Sequence, residues 1–273
     1  MSNLSGLLNG NVLVLAPHMD DEILGCGGTM ALHSDRRRVF VAYATDGRRL
    51  PGMKDAGPGK VNGRDLAEIR ADESRAALGV LGIPPENARF LGFPAGDLRV
   101  RRYDLVMAIE RLVEEIRPTH VFVPFRYDQH PDHLILNNVS REALAHSVHS
   151  ATLLEYFVYF KLRMLAGGDI RKLIRPEYLQ TVDISPASEL KRKALNCFES
   201  QVKIFFPGQK NPVFSTGLLD EFSRGPELFM QWPGSVSSRE VFTMSPDWVR
   251  FVHAVEPPLK RNKDKLLMAL GIK

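Results

Sequence analysis

Residues 11–28 read NVLVLAPHMDDEILGCGG, and this stretch decides the fold class. Residues 12–16 are all apolar, which is typical of a β-strand that is covered on both faces of a sheet. The next segment, Ile23–Ser34, carries apolar residues at helical spacing. A buried strand that leads directly into a helix is the first part of a βαβ unit.

The same alternation of short apolar runs and helical periods continues to about residue 160. The predicted strands are Asn11–Ala16, Val39–Ala44, Ala88–Leu91, His120–Phe125 and Leu153–Tyr159. The predicted helices are Ile23–Ser34, Asp65–Leu81, Tyr103–Ile116 and Asp132–His146. This pattern predicts an α/β fold with a Rossmann-like, mainly parallel sheet and helices on both faces. Ligands of such sheets collect beyond the carboxyl ends of the strands.

The pattern weakens in the C-terminal part of the chain. The remaining predicted elements are a helix at Pro186–Ile204 and strands at Tyr178–Ile184 and Val241–Met244. Several prolines interrupt residues 205–238, and no linker divides the chain. We therefore interpret residues 1–273 as a single domain, with a core at about residues 10–203 and an irregular C-terminal extension at about residues 204–273.

The composition excludes several classes of protein. With 44% hydrophobic and 25% charged residues among 273, the chain is typical of a globular protein. The net charge of +4 is mild, and no basic–aromatic module suggests a nucleic-acid partner. No stretch approaches the roughly 18 consecutive apolar residues of a transmembrane segment. The two cysteines provide no disulfide framework, and the first basic residue is Arg36, so we expect a cytoplasmic protein without a secretory signal.

One imidazole and three carboxyl groups lie at the predicted carboxyl end of the first strand. They belong to His18, Asp20, Asp21 and Glu22. Like charges crowd there at a high cost unless a cation compensates them, and His18 and Asp21 can reach one centre from a tight turn. Taken alone, the cluster is equally compatible with capping of the following helix. Residues 25–28, GCGG, lack the spacing of a dinucleotide-binding loop, and we interpret these glycines as close packing of the helix on the sheet.

A second cluster follows the fourth predicted strand. Residues 130–133 read HPDH, so two histidines lie three positions apart with Asp132 between them. Carboxyl ends of parallel strands meet at one edge of a sheet, so we expect the two clusters to face each other. Three ligands of histidine and carboxylate type with an open fourth position describe a catalytic zinc site, whereas a closed structural site typically uses cysteines.

Residues 12–28 and 126–137 resemble the two signature segments of the LmbE-like, or PIG-L, family of zinc-dependent N-deacetylases. The first family motif, Ala/Pro-His-Pro-Asp-Asp-Glu, is matched by residues 17–22, and the second, His-x-Asp-His, by residues 130–133. The resemblance covers about residues 10–203. It implies a hydrolase that removes the acetyl group from an N-acetylated amino sugar of the N-acetylglucosamine type.

The resemblance also implies a role for each matched residue. The implied ligands of one zinc ion per chain are His18, Asp21 and His133. Such a ligand set would also accept iron or another divalent metal. Asp20 would be the general base that takes a proton from the attacking water, and His130 would stabilise the oxyanion while Asp132 holds it.

Two positions depart from the family pattern. Met19 stands where the family has proline, which changes the stiffness of the turn and leaves the implied ligands in place. Ala95 stands where many relatives carry an aspartate associated with the sugar hydroxyls, and Asp97 is the candidate replacement. Arg70 on the second helix is a candidate substrate contact, with a solvated helix arginine as an equal alternative. Arg99–Arg102 is interpreted as solvated charge, with a dock for a phosphorylated or nucleotide-linked sugar as the alternative.

Alternatives to sugar deacetylation are open at this point. The chain could be an amidase for a larger N-acyl group or a thiol–sugar conjugate, a non-catalytic metal-dependent sugar-binding module, or a nucleotide-binding protein. Asp20 and His130 argue against a binding module, because it needs neither a base nor an oxyanion group. The expected partner is a small-molecule or glycoconjugate substrate that bears an N-acetylamino sugar. A homo-oligomer is compatible with the sequence.

Overall fold

The computed structural model describes residues 9–50, 60–61, 63–162, 169–232 and 241–243. The strands are β1 (Val12–Ala16), β2 (Val39–Thr45), β3 (Lys60–Val61), β4 (Arg64–Asp65), β5 (Ala88–Phe93), β6 (His120–Pro124), β7 (Thr152–Tyr156), β8 (Leu179–Val182) and β9 (Glu227–Met230). The helices are α1 (Asp21–Leu32), α2 (Leu66–Val80), α3 (Arg102–Ile116), α4 (Pro131–His146), α5 (Tyr159–Leu162), α6 (Ile170–Leu173), α7 (Ser188–Leu195), α8 (Glu199–Val202) and α9 (Thr216–Ser223).

Seven strands form one sheet in the order β5-β2-β1-β6-β7-β9-β8. The first five strands in this order are parallel, whereas β9 pairs antiparallel with both β7 and β8. The predicted α/β, mainly parallel sheet is therefore confirmed. The chain moves outward from β1 to β2 and β5 on one side, and from β6 to β7 on the other. The switch point between β1 and β6 is where open α/β sheets place their ligands.

Both faces of the sheet are covered by helices. In β1, Val12 and Val14 pack into one apolar cluster with residues of α1, α2, α7 and α9. The alternate residues Leu13 and Leu15 pack into a second cluster with residues of α3 and α4. This double burial explains the uninterrupted apolar run at the start of the chain.

The glycines of α1 let this helix lie close to its neighbours. A methyl group on Gly25 would lie 2.3 Å from the Tyr156 ring, and one on Gly28 would lie 2.5 Å from Ile184. Both distances are too short for real carbon contacts, so the backbone approach requires glycine. This geometry agrees with the predicted packing role of the glycines.

The C-terminal segment contributes more to the sheet than its irregular sequence indicates. Strand β9 lies inside the sheet, between β7 and β8. Its residue Glu227 is buried and accepts hydrogen bonds from the backbone N–H groups of Gly28 (2.7 Å) and Thr29 (2.8 Å) and from Nζ of Lys191 (2.7 Å). A glutamate in a four-residue strand looks solvent-exposed in the sequence, because the partners that neutralise it are distant along the chain.

The remaining C-terminal predictions differ in detail from the structure. The helix predicted at Pro186–Ile204 is divided into α7 and α8, while the strand predicted at Tyr178–Ile184 corresponds to β8. At Val241–Met244 the structure has only an isolated bridge between Ile174 and Phe242, and residue 244 lies outside the described residues. In the described ranges, no helix is long and apolar enough to cross a membrane.

Candidate metal centre

The two polar clusters meet beyond the carboxyl ends of β1 and β6. Helix α1 begins at Asp21 and helix α4 begins at Pro131, each shortly after its strand. A cavity of about 420 Å³ opens at this edge of the sheet. The cluster residues that line it are His18, Asp20, Asp21, His130 and Asp132. The predicted approach of the two clusters is therefore present in the structure.

The carboxylate of Asp21 lies between two imidazole rings. Its Oδ2 atom is 3.1 Å from Nδ1 of His18 and 3.1 Å from Nε2 of His133. A tetrahedral zinc ion with bonds of about 2.0–2.1 Å keeps its ligand atoms about 3.3 Å apart. The spacing of these atoms is therefore close to that of a metal-ligand set.

Nε2 of His133 is buried and has no hydrogen-bond partner among the described residues, although Oδ2 of Asp21 lies 3.1 Å away. An unpartnered buried nitrogen costs free energy, whereas a cation at this point would use its lone pair. The donor atoms and the unpartnered nitrogen fit a divalent metal ion.

A third imidazole lies near the same point. One nitrogen from each of His18, His130 and His133 lies within 4.8 Å of the others. The geometry thus allows two sets of metal ligands. One consists of the three histidines, and the predicted one has Asp21 in place of His130. Oδ2 of Asp21 lies 3.1 Å from a nitrogen of each of the two shared histidines, and the predicted ligand assignment stays a prediction.

Asp132 contacts His18, contrary to the predicted contact with His130. Its Oδ2 lies 3.1 Å from Nε2 of His18 and accepts a hydrogen bond from the N–H of Gly96 (3.0 Å). His130 is the N-cap of α4, and its Nδ1 accepts from the Asp132 backbone N–H (3.3 Å). The two side chains diverge because a capping side chain folds back over the helix N-terminus. Burial, with the charges of His18 and His133, lowers the pKa of His130 to about 4, so its ring is neutral.

Asp128 is a site residue that the sequence analysis did not predict. It is fully buried, and its Oδ2 lies 2.7 Å from Nδ1 of His133, while its Oδ1 accepts a hydrogen bond from the Phe160 N–H. A carboxylate on the far nitrogen of a metal-binding histidine fixes the orientation of the ring. The available signal was its position in the loop after β6, five residues before His133.

Asp20 has a strained backbone that Arg70 holds in place. The φ angle of Asp20 is 131°, a value rare for any residue other than glycine. Nη2 of Arg70 donates to the Met19 carbonyl (2.6 Å) and to Oδ2 of Asp20 (3.1 Å). Burial, followed by the charge of Asp21, raises the pKa of Asp20 to about 7, and Arg70 opposes this rise. Arg70 is itself buried and lines the cavity, so the alternative of a solvated helix arginine is wrong.

Asp97 does not take the place of the missing family aspartate. Ala95 and Gly96 line the cavity, whereas Asp97 is exposed and lies outside the lining. Gly96 has a φ of 86° and turns the chain at this point, which directs the following residue away. Arg99–Arg102 also lies outside the lining; Arg99 and Arg101 are exposed, in agreement with their interpretation as solvated charge, whereas Arg102 is half-buried and pairs with Glu142.

Much of the remaining lining is apolar. The apolar side chains belong to Leu24, Leu50, Val158, Tyr159, Leu162, Val213 and Phe214. Arg49 and Gln201 complete the lining. The cavity therefore combines a cluster of ionisable groups with a hydrocarbon surface.

Residues 13–144 match the PIG-L family, described as GlcNAc-PI de-N-acetylase. This match covers 132 of the 273 residues, just under half of the chain. A probable N-acetyl-α-D-glucosaminyl L-malate deacetylase 2 from Bacillus cereus is 33% identical over 126 residues, which are 45% of this chain and 56% of that protein. A diacetylchitobiose deacetylase from Thermococcus kodakarensis is 29% identical over 203 residues, 70% of this chain and 69% of that protein. The match thus spans little more than half the length of the Bacillus relative.

Solved structures share the fold of this chain. The A40926 pseudoaglycone deacetylase Dbv21 has a TM-score of 0.59 and 21% sequence identity, covering 83% of this chain and 99% of its own. Similarity at this level of identity establishes the common fold alone, because one fold hosts many different reactions.

Proposed function

We propose that this protein is a metal-dependent N-deacetylase that removes acetyl from an N-acetylated amino sugar conjugate and releases acetate and a free amine. The observation that carries the proposal is the convergence of Asp21, His18 and the unpartnered Nε2 of His133 beside a cavity that Asp20 and His130 also line. The deacetylase names of both sequence relatives support it.

We assign one zinc ion to His18, Asp21 and His133. A divalent cation in this site supplies Lewis acidity, which lowers the pKa of a water molecule and polarises an amide carbonyl. The protein's part is to orient the ligands: Asp132 contacts the far nitrogen of His18, and Asp128 contacts the far nitrogen of His133.

Asp20 is the proposed general base. Its carboxylate takes the proton of the attacking water and then returns it to the departing amine nitrogen. Arg70 is a positioning residue, because its guanidinium holds both the strained turn and the Asp20 carboxylate.

His130 is the proposed donor to the developing oxyanion. Its Nδ1 accepts a hydrogen bond from the Asp132 backbone, so the neutral ring carries its proton on Nε2. That N–H group can donate to negative charge that develops on the amide oxygen. This role needs a neutral His130 ring whose tautomer is fixed by the contact with the Asp132 backbone.

A second candidate function is an amidase for a larger N-acyl group. The apolar lining supports it, because an acetyl methyl group covers little hydrocarbon surface. Residues from four separate segments contribute to this surface, namely Leu24, Leu50, Leu162 and Phe214 among others.

The test is acetate release from a panel of N-acetylglucosamine derivatives: the free sugar, an oligosaccharide, and inositol-, nucleotide- and lipid-linked forms. Zinc-loaded wild type is compared with Asp20→Asn. Release from at least one derivative by the wild type alone supports deacetylation. No release from any of them by zinc-verified protein contradicts the acetyl substrate, and a rate that rises with N-acyl chain length would then favour the second candidate.

A further inference from the structure

A second cavity, of about 170 Å³, is lined in part by Leu24 and Gly25 of α1. Leu24 lines both cavities, but no residue of the candidate metal centre lines the second one. The proposed deacetylation makes no use of this cavity. Its lining is rich in charge, with basic Lys161, Arg171, Lys191 and Arg224 facing acidic Asp169, Glu221 and Glu227.

Two of the acidic groups are already committed to ion pairs. Asp169 pairs with Arg171 (2.8 Å), and Glu227 pairs with Lys191 (2.7 Å). The Glu227 carboxylate also accepts three hydrogen bonds from Gly28 and Thr29, so each of its oxygens has two donors. Glu227 therefore has no capacity left for a further cation.

Lys161 and Arg224 are left without a carboxylate partner among the described residues. Nζ of Lys161 donates to the backbone carbonyl of Glu221 (3.1 Å) and lies 4.4 Å from the centre of the Phe222 ring. The ammonium group has three N–H donors, so this single bond leaves two for a ligand. The Glu221 side chain itself is exposed.

The surroundings of Lys161 disfavour its positive charge. Burial, with the charge of Lys191, lowers the pKa of Lys161 to about 8, although Glu221 and Glu227 oppose the shift. A partly desolvated cation without a counter-ion is costly, and a bound anion would remove that cost.

The rest of the second cavity is apolar. Phe157, Ile170, Phe222 and Leu228 line it. We propose that this cavity is a second ligand site, which binds a small organic carboxylate: the carboxylate pairs with Lys161 and Arg224, and the hydrocarbon body packs on these apolar side chains. An inorganic anion could use the two cations but not the apolar surface.

The probes are benzoate, its neutral analogue benzamide, and inorganic phosphate, titrated into the zinc-loaded protein by calorimetry. We expect saturable binding of benzoate, with benzamide and phosphate each at least about tenfold weaker, because each lacks one of the two interactions. If benzamide binds as tightly as benzoate, the cations do not contribute to binding. If phosphate binds as tightly as benzoate, the apolar surface does not contribute to binding. Either result, or no benzoate binding, overturns the proposal.

Carboxylates also bind metal ions, so variants are needed to show which of the two cavities binds benzoate. Lys161→Met should weaken benzoate binding at least about tenfold, Lys161→Arg should keep it, and Lys172→Met, an exposed lysine outside the lining, should have no effect. His133→Ala should leave benzoate binding intact. Binding that is lost in His133→Ala and kept in Lys161→Met would assign the anion to the candidate metal centre and overturn the proposal. If Lys161→Met fails to fold, Arg224→Gln carries the same expectation.

Discussion

The two turns that form the candidate metal centre are built in different ways. The turn after β1 is strained at Asp20, contains buried Asp20 and Asp21, and depends on Arg70 from another helix. The turn after β6 has no positive φ angle in the described residues and is capped by its own His130. The first turn is thus held by a positive charge from another helix, whereas the second turn is held by its own N-cap and by the Phe160 N–H group, and it presents His133.

The largest expected effect comes from removing the proposed metal ligand of the second turn. His133→Ala should lose both bound zinc and deacetylation, because His133 supplies the unpartnered nitrogen at the centre. Metal content by mass spectrometry and acetate release measure the two losses. His146→Ala, an exposed histidine at the other end of the same helix, is the matched control. Stoichiometric zinc in His133→Ala would remove His133 from the ligand set.

The next prediction distinguishes the proposed general base, Asp20, from the proposed metal ligands in the same strained turn. Asp20→Asn should keep zinc and lower kcat about 10²- to 10⁴-fold, the usual contribution of a general base. Zinc content and kcat are measured on the same preparation. Unchanged turnover would contradict the role of Asp20, and lost zinc would place Asp20 among the ligands.

The third effect concerns stability. Removing the positive charge that Arg70 supplies to the first turn should lower the free energy of unfolding. Arg70→Met leaves the buried Asp20 carboxylate without its partner, and loss of one member of a buried pair costs about 3–5 kcal/mol. Denaturant unfolding of the metal-free protein measures this cost. Arg75→Met, at an exposed position of the same helix, should cost far less. Equal losses in the two variants would contradict the special dependence of the first turn.

The smallest effect concerns the orientation of His133. Asp128→Asn should weaken zinc binding about 10- to 100-fold, because the carboxylate no longer fixes the ring. Competition with a chelator of known affinity measures the change, with the exposed Asp104→Asn as control. A zinc affinity within twofold of the wild type would show that the orientation of His133 does not depend on the Asp128 carboxylate.

The positions of the two turns could be predicted from the sequence, but their side-chain contacts could not. The two motifs and the order of strands and helices predicted both turns and their meeting point, because each turn follows directly from a buried parallel strand. Which groups touch could not be predicted in the same way. Asp132 reaches His18 on the other turn, and Arg70 reaches Asp20 from α2, so both contacts depend on the packing of distant segments.

Two further features show the same limit. Glu227 places β9 inside the sheet through contacts with Lys191 and α1 that no local pattern records. Asp97 looked like a replacement for the aspartate missing at Ala95, but a positive φ at Gly96 turns it away from the cavity. Spacing along the chain predicts a shared turn, whereas the direction of each side chain depends on the backbone angles between them.

The central claim is that acetate release depends on a metal held between the two turns. The most direct measurement is release from the best substrate of the panel before chelation, after chelation, and after zinc is added back. We expect that chelation abolishes release, that one equivalent of zinc restores it, and that zinc restores nothing to His133→Ala. Undiminished release from protein that is verified to be free of metal would contradict the metal dependence.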